Sequence, residues 1–194
     1  MQWVRNSLGE GAAVLAGFLA KDANVESITH IGQILSDCFR SGNKALVCGN
    51  GGSACDAIHL AEEFTGRYRK DRKPLPVIPL TDSAHLTCVA NDYGFEEVFA
   101  RGVLAYGKPG DVLVAISTSG NSKNVIRAVE EAVRLGMKLV LLLGRDGGAL
   151  KGKGDAEIRV EAVNTDRIQE VHMTVLHIVI EIVERELFPE NYSG

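Results

Sequence analysis

Four side chains on two separate segments have the chemistry of ligands for a divalent metal ion. His59 and Glu63 are four residues apart, so on a helix their side chains lie on the same face. Gln169 and His177 are eight residues apart in a second helical segment and are close enough in angle to share a broad face. Imidazole nitrogens and a carboxylate suit zinc, and an amide oxygen is a weaker fourth ligand. The spacing leaves a second interpretation open, in which His59 is a packing residue and Glu63 is solvent-exposed.

Two loops have the composition of phosphate-binding sites. Residues 48–54, CGNGGSA, make a glycine-rich turn after an apolar run, and Ser53 is placed to cap the helix that follows. Residues 117–122, STSGNS, place four hydroxyl groups ahead of another helix. Helix N-termini and hydroxyl donors bind phosphate oxygens, so we expect a phosphate site here. The alternatives are a turn that requires positive φ and a hydroxyl-rich helix cap.

The glycine turn differs from the motifs that bind nucleotides. It lacks the G-x-G-x-x-G spacing of dinucleotide-binding folds and the lysine of a P-loop. A sugar phosphate remains compatible with an acidic protein, because neutral donors and a helix dipole can hold its phosphate without a basic patch.

Composition and charge exclude several classes of function. The chain has 194 residues, a formal net charge of -4 at pH 7 and 6% aromatic residues, which argues against nucleic-acid binding. The basic segment 67–73 is therefore interpreted mainly as a solvated loop. No apolar run reaches the roughly 20 residues of a membrane span, so we expect a cytoplasmic protein without a membrane partner. The cysteines show no C-x-x-C spacing and are expected to be reduced packing residues: Cys38, Cys48, Cys55 and Cys88.

The candidate residues need a scaffold that brings distant segments together, and the hydrophobic pattern predicts one. Apolar runs predict strands at 45–48, 76–80, 112–117, 138–144 and 156–160, and the prolines of the second run favour an edge strand. Helices are predicted at 1–20, 24–40, 82–90, 95–106 and 166–187. Two further helices are predicted after the two loops, one from residue 53 onward and one that ends at about residue 135. A turn is predicted at 91–94, and Asp166 is expected to cap the last helix. This alternation predicts a doubly wound α/β domain with a parallel sheet, in which both loops follow carboxyl ends of strands.

The length predicts a single domain over residues 1–194. Within it, residues 43–194 supply the parallel-sheet core and the C-terminal helix. Residues 1–42 form an N-terminal helical segment that the sheet does not need for cover, so this segment is a candidate oligomer interface.

Several longer motifs together resemble one family. The segments CGNGGSACDAIHLAEEFTGRY, ANDYGF, AISTSGNSKNVI, GRDGG and DRIQEVHMTVLHI resemble the phosphoheptose isomerases of the sugar-isomerase (SIS) fold, in order and spacing, from about residue 1 to 187. The resemblance implies a flavodoxin-like three-layer sandwich and conversion of sedoheptulose 7-phosphate to D-glycero-D-manno-heptose 7-phosphate. In that family this is the first step of ADP-heptose synthesis for lipopolysaccharide core or related glycans. It also implies a cytoplasmic homotetramer with active sites between subunits and one zinc ion per subunit.

The resemblance also implies roles for individual residues. The zinc ligands would be His59, Glu63, Gln169 and His177. For the enediolate chemistry of an aldose–ketose isomerase, Glu63 is the candidate base and His177 the candidate acid. The implied substrate contacts are Asn50, Gly51, Gly52, Ser53, Glu63, Arg67, Asn91, Asp92, Ser117, Thr118, Ser119, Ser122, Asp166 and Gln169.

Two other functions share the same loops. One is a non-catalytic, DiaA-like SIS regulator that binds the replication initiator, and the other is an isomerase of a different sugar phosphate. The regulator-type sequences resemble this chain through IQEVHM but lack a histidine at the position of His177. The presence of His177 beside Glu63 therefore favours the enzyme.

Overall fold

A five-stranded parallel sheet forms the centre of the protein, for which the computed structural model describes residues 1–193. The strands are β1 (Ala45–Gly49), β2 (Val77–Pro79), β3 (Val112–Ser117), β4 (Lys138–Gly144) and β5 (Ala156–Val160). Their spatial order is β2-β1-β3-β4-β5, and every neighbouring pair is parallel. This is the flavodoxin-like doubly wound order, so the predicted fold class is confirmed, as is the edge position of the proline-flanked strand β2.

Residues 1–193 contain seven α-helices. They are α1 (Gln2–Leu19), α2 (Asp22–Arg40), α3 (Gly52–Thr65), α4 (Ser83–Tyr93), α5 (Val98–Tyr106), α6 (Lys123–Arg134) and α7 (Thr165–Leu187). Short 3-10 turns occur at Phe95–Glu97, Gly148–Leu150 and Pro189–Asn191.

Two hydrophobic clusters, one on each face of the sheet, make the three-layer sandwich. Alternate strand residues face opposite clusters, because successive side chains of a strand point to opposite faces. Val114 packs in the cluster that contains residues of α2, α3 and α7, whereas its neighbour Leu113 packs with α4, α5 and α6. Strands β1 and β3 are buried along their whole length, which is why their sequences are continuously apolar.

Three local predictions are wrong. Residues 91–93 belong to α4 rather than to a turn, because the helix continues until Gly94, whose φ of 95° ends it. Ser53 lies inside the first turn of α3, since Gly51 with φ 56° takes the N-cap position. Asp166 likewise lies in the first turn of α7, and Asn164 is the N-cap.

The four cysteines are free, as predicted, but only half of the packing interpretation holds. Cys38 and Cys48 are buried, whereas Cys55 and Cys88 are exposed on helices. Among residues 1–193, no helix combines the length and the hydrophobicity that crossing a membrane requires.

Helix α1 keeps most of its apolar surface outside the core. Phe18 is its buried residue, while Trp3, Leu8 and Leu19 are 74%, 71% and 66% exposed. A large apolar face of α1 is therefore available for contacts beyond the chain.

His172 of α7 is a core residue and not part of the candidate site. Its imidazole is fully buried, and Nε2 lies 2.9 Å from the carbonyl oxygen of Leu143, to which a neutral ring donates. Burial lowers the pKa of His172 from 6.5 to about 4. The native protein therefore keeps this ring neutral over a range in which the unfolded chain protonates it.

We expect His172 to make stability depend on pH between its ordinary pKa of 6.5 and its folded pKa of about 4. Because the unfolded chain binds the proton first, the free energy of unfolding should fall by about 3 kcal/mol as pH drops through this window. His172→Gln keeps a donor but cannot titrate, so its stability should fall less steeply. Urea denaturation at pH 7 and 4.5 measures the difference, with His30→Gln on the exposed side of α2 as the control. Equal slopes for wild type and His172→Gln would contradict this assignment.

Candidate active site

The packing of α7 against α3 brings three candidate metal ligands together. His59 Nε2 lies 3.3 Å from Glu63 Oε1 and 3.3 Å from His177 Nε2. Ligand atoms of all three side chains lie within 4.8 Å of one another, and all three residues are half-buried. Two ring nitrogens and a carboxylate oxygen that converge in this way can hold a divalent metal ion. The interpretation of His59 as a simple packing residue is thus not supported.

Gln169 lies two turns before His177 on α7 and reaches the first turn of α3. A Cβ atom added to Gly52 would lie 2.4 Å from Gln169 Nε2 and 2.7 Å from its Oε1. The carboxamide therefore occupies the space that any side chain at position 52 would fill. Glycine at this position lets α7 present an amide to the helix that carries His59 and Glu63.

An aromatic ring covers one side of the His177 imidazole. Tyr68 stacks on His177 with a centroid distance of 5.9 Å and an interplanar angle of 22°. His59 approaches the same imidazole edge-on, with centroids 5.1 Å apart. The two rings together restrict the orientation of His177, and Tyr68 was missed because it lies in the basic segment that was interpreted as a solvated loop.

Both phosphate-binding candidates lie side by side at the carboxyl edge of the sheet, because β1 and β3 are adjacent strands. The turn after β1 is joined to α6 by a reciprocal pair of hydrogen bonds. The Asn50 and Asn124 amides donate to each other at 2.9 and 2.8 Å. Asn124 is buried, and its polar side chain next to a helix start was the overlooked signal for this contact. Because these hydrogen bonds occupy the side-chain amide of Asn50, its backbone is the part that can contact a ligand.

The serine loop after β3 is organised by its own hydroxyl groups. Ser117 Oγ accepts a hydrogen bond from the Gly120 amide at 3.1 Å and lies 3.2 Å from Ser122 Oγ. Ser119 Oγ accepts a hydrogen bond from the backbone N–H of Asn121 at 3.1 Å. Ser117 is buried, while Thr118, Ser119 and Ser122 are half-buried. The loop is therefore a preformed cluster of hydroxyl groups ahead of α6.

The remaining predicted substrate contacts are more dispersed. Asn91 and Asp92 are on the exposed side of α4, in the layer opposite α3 and α7, where the Asn91 amide donates to Asp92 at 2.7 Å. Arg67 and Asp166 are exposed at the end of α3 and the start of α7. Asn91 and Asp92 are therefore in a different layer of the sandwich from the metal-ligand triad of the same chain.

Asp56 is a buried carboxylate one turn before His59. It is 8% exposed, and its Oδ2 atom has no hydrogen-bond partner among the described residues. Burial raises the pKa of Asp56 to about 6, and the nearby His59 opposes the shift. Sequence reasoning missed this residue because its helical position alone does not reveal burial.

The chain is similar over most of its length to proteins of one family. A family model of the SIS domain matches residues 10–144. The phosphoheptose isomerase of Fusobacterium nucleatum is 54% identical over 179 residues, which cover 92% of this chain and 92% of the relative. The Escherichia coli phosphoheptose isomerase is 51% identical over 185 residues, covering 95% of this chain and 96% of the relative. The chain belongs to the phosphoheptose isomerase family of SIS domain proteins.

A solved structure supports the same placement. The phosphoheptose isomerase of Neisseria gonorrhoeae superposes with a TM-score of 0.87 at 38% identity and covers 94% of this chain and 97% of its own. The resemblance to phosphoheptose isomerases that the motifs indicated is therefore confirmed. The features near the candidate site that were missed from sequence are Tyr68, Asn124 and Asp56, because stacking, hydrogen bonding and burial depend on the tertiary structure.

We expect Gly52→Ala to weaken metal binding with little loss of stability. The new Cβ would displace the Gln169 carboxamide, and the displaced atoms are the end of a flexible side chain. Affinity for a divalent metal should fall about tenfold, as is typical when a residue that supports a metal site is lost. Competition with a chromophoric chelator measures this affinity. The matched control is Gly9→Ala in α1, where an added Cβ has no atom within 4 Å. Unchanged affinity in Gly52→Ala would show that Gln169 does not support the site.

Proposed function

We propose that this protein is an aldose–ketose isomerase that converts sedoheptulose 7-phosphate to D-glycero-D-manno-heptose 7-phosphate, the first step of ADP-heptose synthesis for lipopolysaccharide core. The observation that carries the proposal is the triad of His59, Glu63 and His177, which lies on helices of a fold whose glycine turn leads directly into α3. Membership of the phosphoheptose isomerase family supports the same substrate. The presence of His177 argues against a non-catalytic regulator that binds the replication initiator.

Zinc fits the three ligand atoms of the triad. Zinc–nitrogen bonds of about 2.05 Å with tetrahedral angles place neighbouring ligand atoms about 3.4 Å apart. The two measured separations from His59 Nε2 are both 3.3 Å. Gln169 is our proposed fourth ligand, which gives one zinc ion per subunit. A bound zinc ion would polarise the substrate carbonyl as a Lewis acid.

The reaction needs a base at carbon and an acid at oxygen. Glu63 removes a proton from C1 of the ketose, and the C–H electron pair becomes the C1–C2 double bond of the enediolate. His177 donates a proton to the C2 oxygen. His177 then takes the C1 hydroxyl proton, which restores its own proton and forms the aldehyde, while Glu63 returns its proton to C2. Glu63 and His177 are thus proposed both as ligands and as acid–base groups, in roles that alternate as substrate arrives.

The remaining residues bind and orient the sugar phosphate in this proposal. The phosphate is held by the backbone of the glycine turn and by the hydroxyl groups of the serine loop, remote from the reacting carbons. Residues Gly51, Gly52 and Ser53 belong to the first set, and Ser117, Thr118, Ser119 and Ser122 to the second. Arg67 and Asp166 position the carbon chain.

A second copy of the chain completes the site in our proposal. The exposed position of Asn91 and Asp92 on the layer opposite the triad is explained if they contact substrate in a neighbouring subunit. The apolar face of α1 would supply the interface of a homotetramer, in which residues 1–42 of a single 1–194 domain pack against other subunits. The location is cytoplasmic, where sugar phosphates are made.

We expect Glu63→Gln to lower turnover of sedoheptulose 7-phosphate by about 10³-fold, because an amide cannot accept the C1 proton. Substrate should still bind, since the loops are untouched. Turnover and substrate binding are measured on the same purified protein. Glu26→Gln, on the exposed side of α2, is the control for the loss of a carboxylate and should keep normal turnover. Normal activity in Glu63→Gln would exclude this base.

Chelation should abolish turnover of sedoheptulose 7-phosphate, and added zinc should restore it. His177→Ala should remain inactive even with excess zinc, because it removes both a ligand and the proposed acid. The exposed His30→Ala is the control for histidine substitution. Absence of conversion by zinc-loaded wild type would overturn the substrate assignment, and other ketose phosphates would then be tested.

A further inference from the structure

A buried ion pair lies outside the triad, between the loop after α3 and the end of α7. Arg72 Nε donates to Glu184 Oε1 at 2.8 Å, and the two side chains are 1% and 0% exposed. Tyr192, beyond the end of α7, donates its hydroxyl to the other Glu184 oxygen at 2.8 Å. Burying two charges is costly, and an apolar pair of similar size often gives equal stability. The pair therefore calls for a reason other than stability.

The guanidinium of Arg72 caps the helix that carries the triad. Its Nη2 donates to the Glu63 carbonyl at 2.6 Å, and its Nη1 donates to the carbonyls of Phe64 at 2.8 Å and Gly66 at 3.2 Å. The last carbonyls of a helix have no partner within the helix, and a cation there also interacts favourably with the negative end of the helix dipole. Because the Glu63 carbonyl itself is bonded, the final turn of α3 is held in place at the residue that supplies the proposed base.

The same C-terminal tyrosine is connected to the other side of the triad. Arg185 lies 4.4 Å from the Tyr192 ring centroid and 2.7 Å from Glu181, which pairs with Arg69 at 2.8 Å. Arg69 in turn lies 5.1 Å from the ring centroid of Tyr68, the residue that stacks on His177. These outer contacts are solvent-exposed and individually weak. We therefore expect the buried contacts of Arg72 to contribute more to the position of the triad than these exposed contacts do.

We propose that Arg72, held by Glu184 and Tyr192, is a positioning residue that fixes the last turn of α3 and thereby the carboxylate of Glu63. This inference rests on the proposed function for its kinetic consequences, but its effect on metal binding does not require that function. Arg72 never touches the substrate or the metal ion in this arrangement. It acts through the backbone of the residue that does.

The chemistry of Tyr192 agrees with a permanent donor. Burial together with the hydrogen bond to Glu184 raises the pKa of Tyr192 to about 12. The hydroxyl thus stays protonated at any pH at which the enzyme would work. Glu184 can then accept from Arg72 on one oxygen and from Tyr192 on the other.

Arg72→Lys is the principal test, because lysine keeps the charge but lacks the planar fork that bridges three carbonyls and Glu184. We expect kcat for sedoheptulose 7-phosphate to fall about tenfold with KM within about twofold, and zinc affinity to fall about tenfold. Both are measured at a temperature at which a melting curve shows each variant to be folded, with zinc affinity taken from competition with a chromophoric chelator. A purely structural role would lower the melting temperature but leave kcat and zinc affinity of the folded protein unchanged.

Tyr192→Phe is the second variant and removes one hydroxyl without leaving a buried charge unpaired. It should shift kcat and zinc affinity in the same direction as Arg72→Lys by about threefold, consistent with the loss of one hydrogen bond to a charged group that acts indirectly. Tyr106→Phe, on the exposed end of α5, is the matched control and should behave as wild type. If Arg72→Lys does not fold, Tyr192→Phe decides the question alone.

The outcomes separate this inference from the proposed function. If wild type does not convert sedoheptulose 7-phosphate, the proposed function fails, and the zinc affinities of the variants still test the positioning role. If both variants bind zinc with wild-type affinity, and any turnover is equally unchanged, the positioning role is overturned. Weakened zinc binding in Arg72→Lys and Tyr192→Phe, with Tyr106→Phe unchanged, supports it.

Discussion

The packing of α7 on α3 is the contact on which the candidate site depends. His59 and Glu63 are brought together by helix periodicity alone, but His177 is 114 positions after Glu63 in the sequence and reaches it through this helix pair alone. Both helices lie on one face of the sheet and share a hydrophobic cluster. Apolar burial thus supplies the force that holds two imidazoles and a carboxylate at separations suited to a metal ion.

Two groups of polar side chains lie within this apolar layer, and they differ in whether their partners are supplied by the chain itself. Arg72 and Glu184 neutralise each other and satisfy the carbonyls that end α3. The triad is different, because its two ring nitrogens and carboxylate oxygen converge at a partly exposed position where a metal ion can bind. The Arg72 pair, in contrast, already has its charges and donors matched within the chain. The same layer therefore contains one closed polar network and one that is open to a ligand.

Periodicity made much of the fold and part of the site predictable. Continuous apolar runs located β1, β3 and β4, because strands buried on both faces have no polar alternation. The i, i+4 spacing of His59 and Glu63 is equally local. The Tyr68 stack, the Asn50–Asn124 pair and the Arg72 cap could not be predicted, since each joins residues whose proximity only the tertiary structure creates. Arg72 is an exception in a segment that was interpreted as mainly solvated, because composition does not reveal which member of a basic run turns inward.

Helix α7 shows how one polar pattern can serve two purposes. At about 100° per residue, His172 and His177 differ by roughly 140° around the axis, and Gln169 lies between them, roughly 60° from His172 and 80° from His177. The contacts separate their roles: His172 lies against the Leu143 carbonyl of the sheet, while Gln169 and His177 contact residues of α3. All three residues interrupt the same apolar sequence. His172 is a structural residue, because it is buried against the sheet and burial keeps its ring neutral. His177 is a candidate metal ligand, because it lies next to His59 and Glu63 at a partly exposed position.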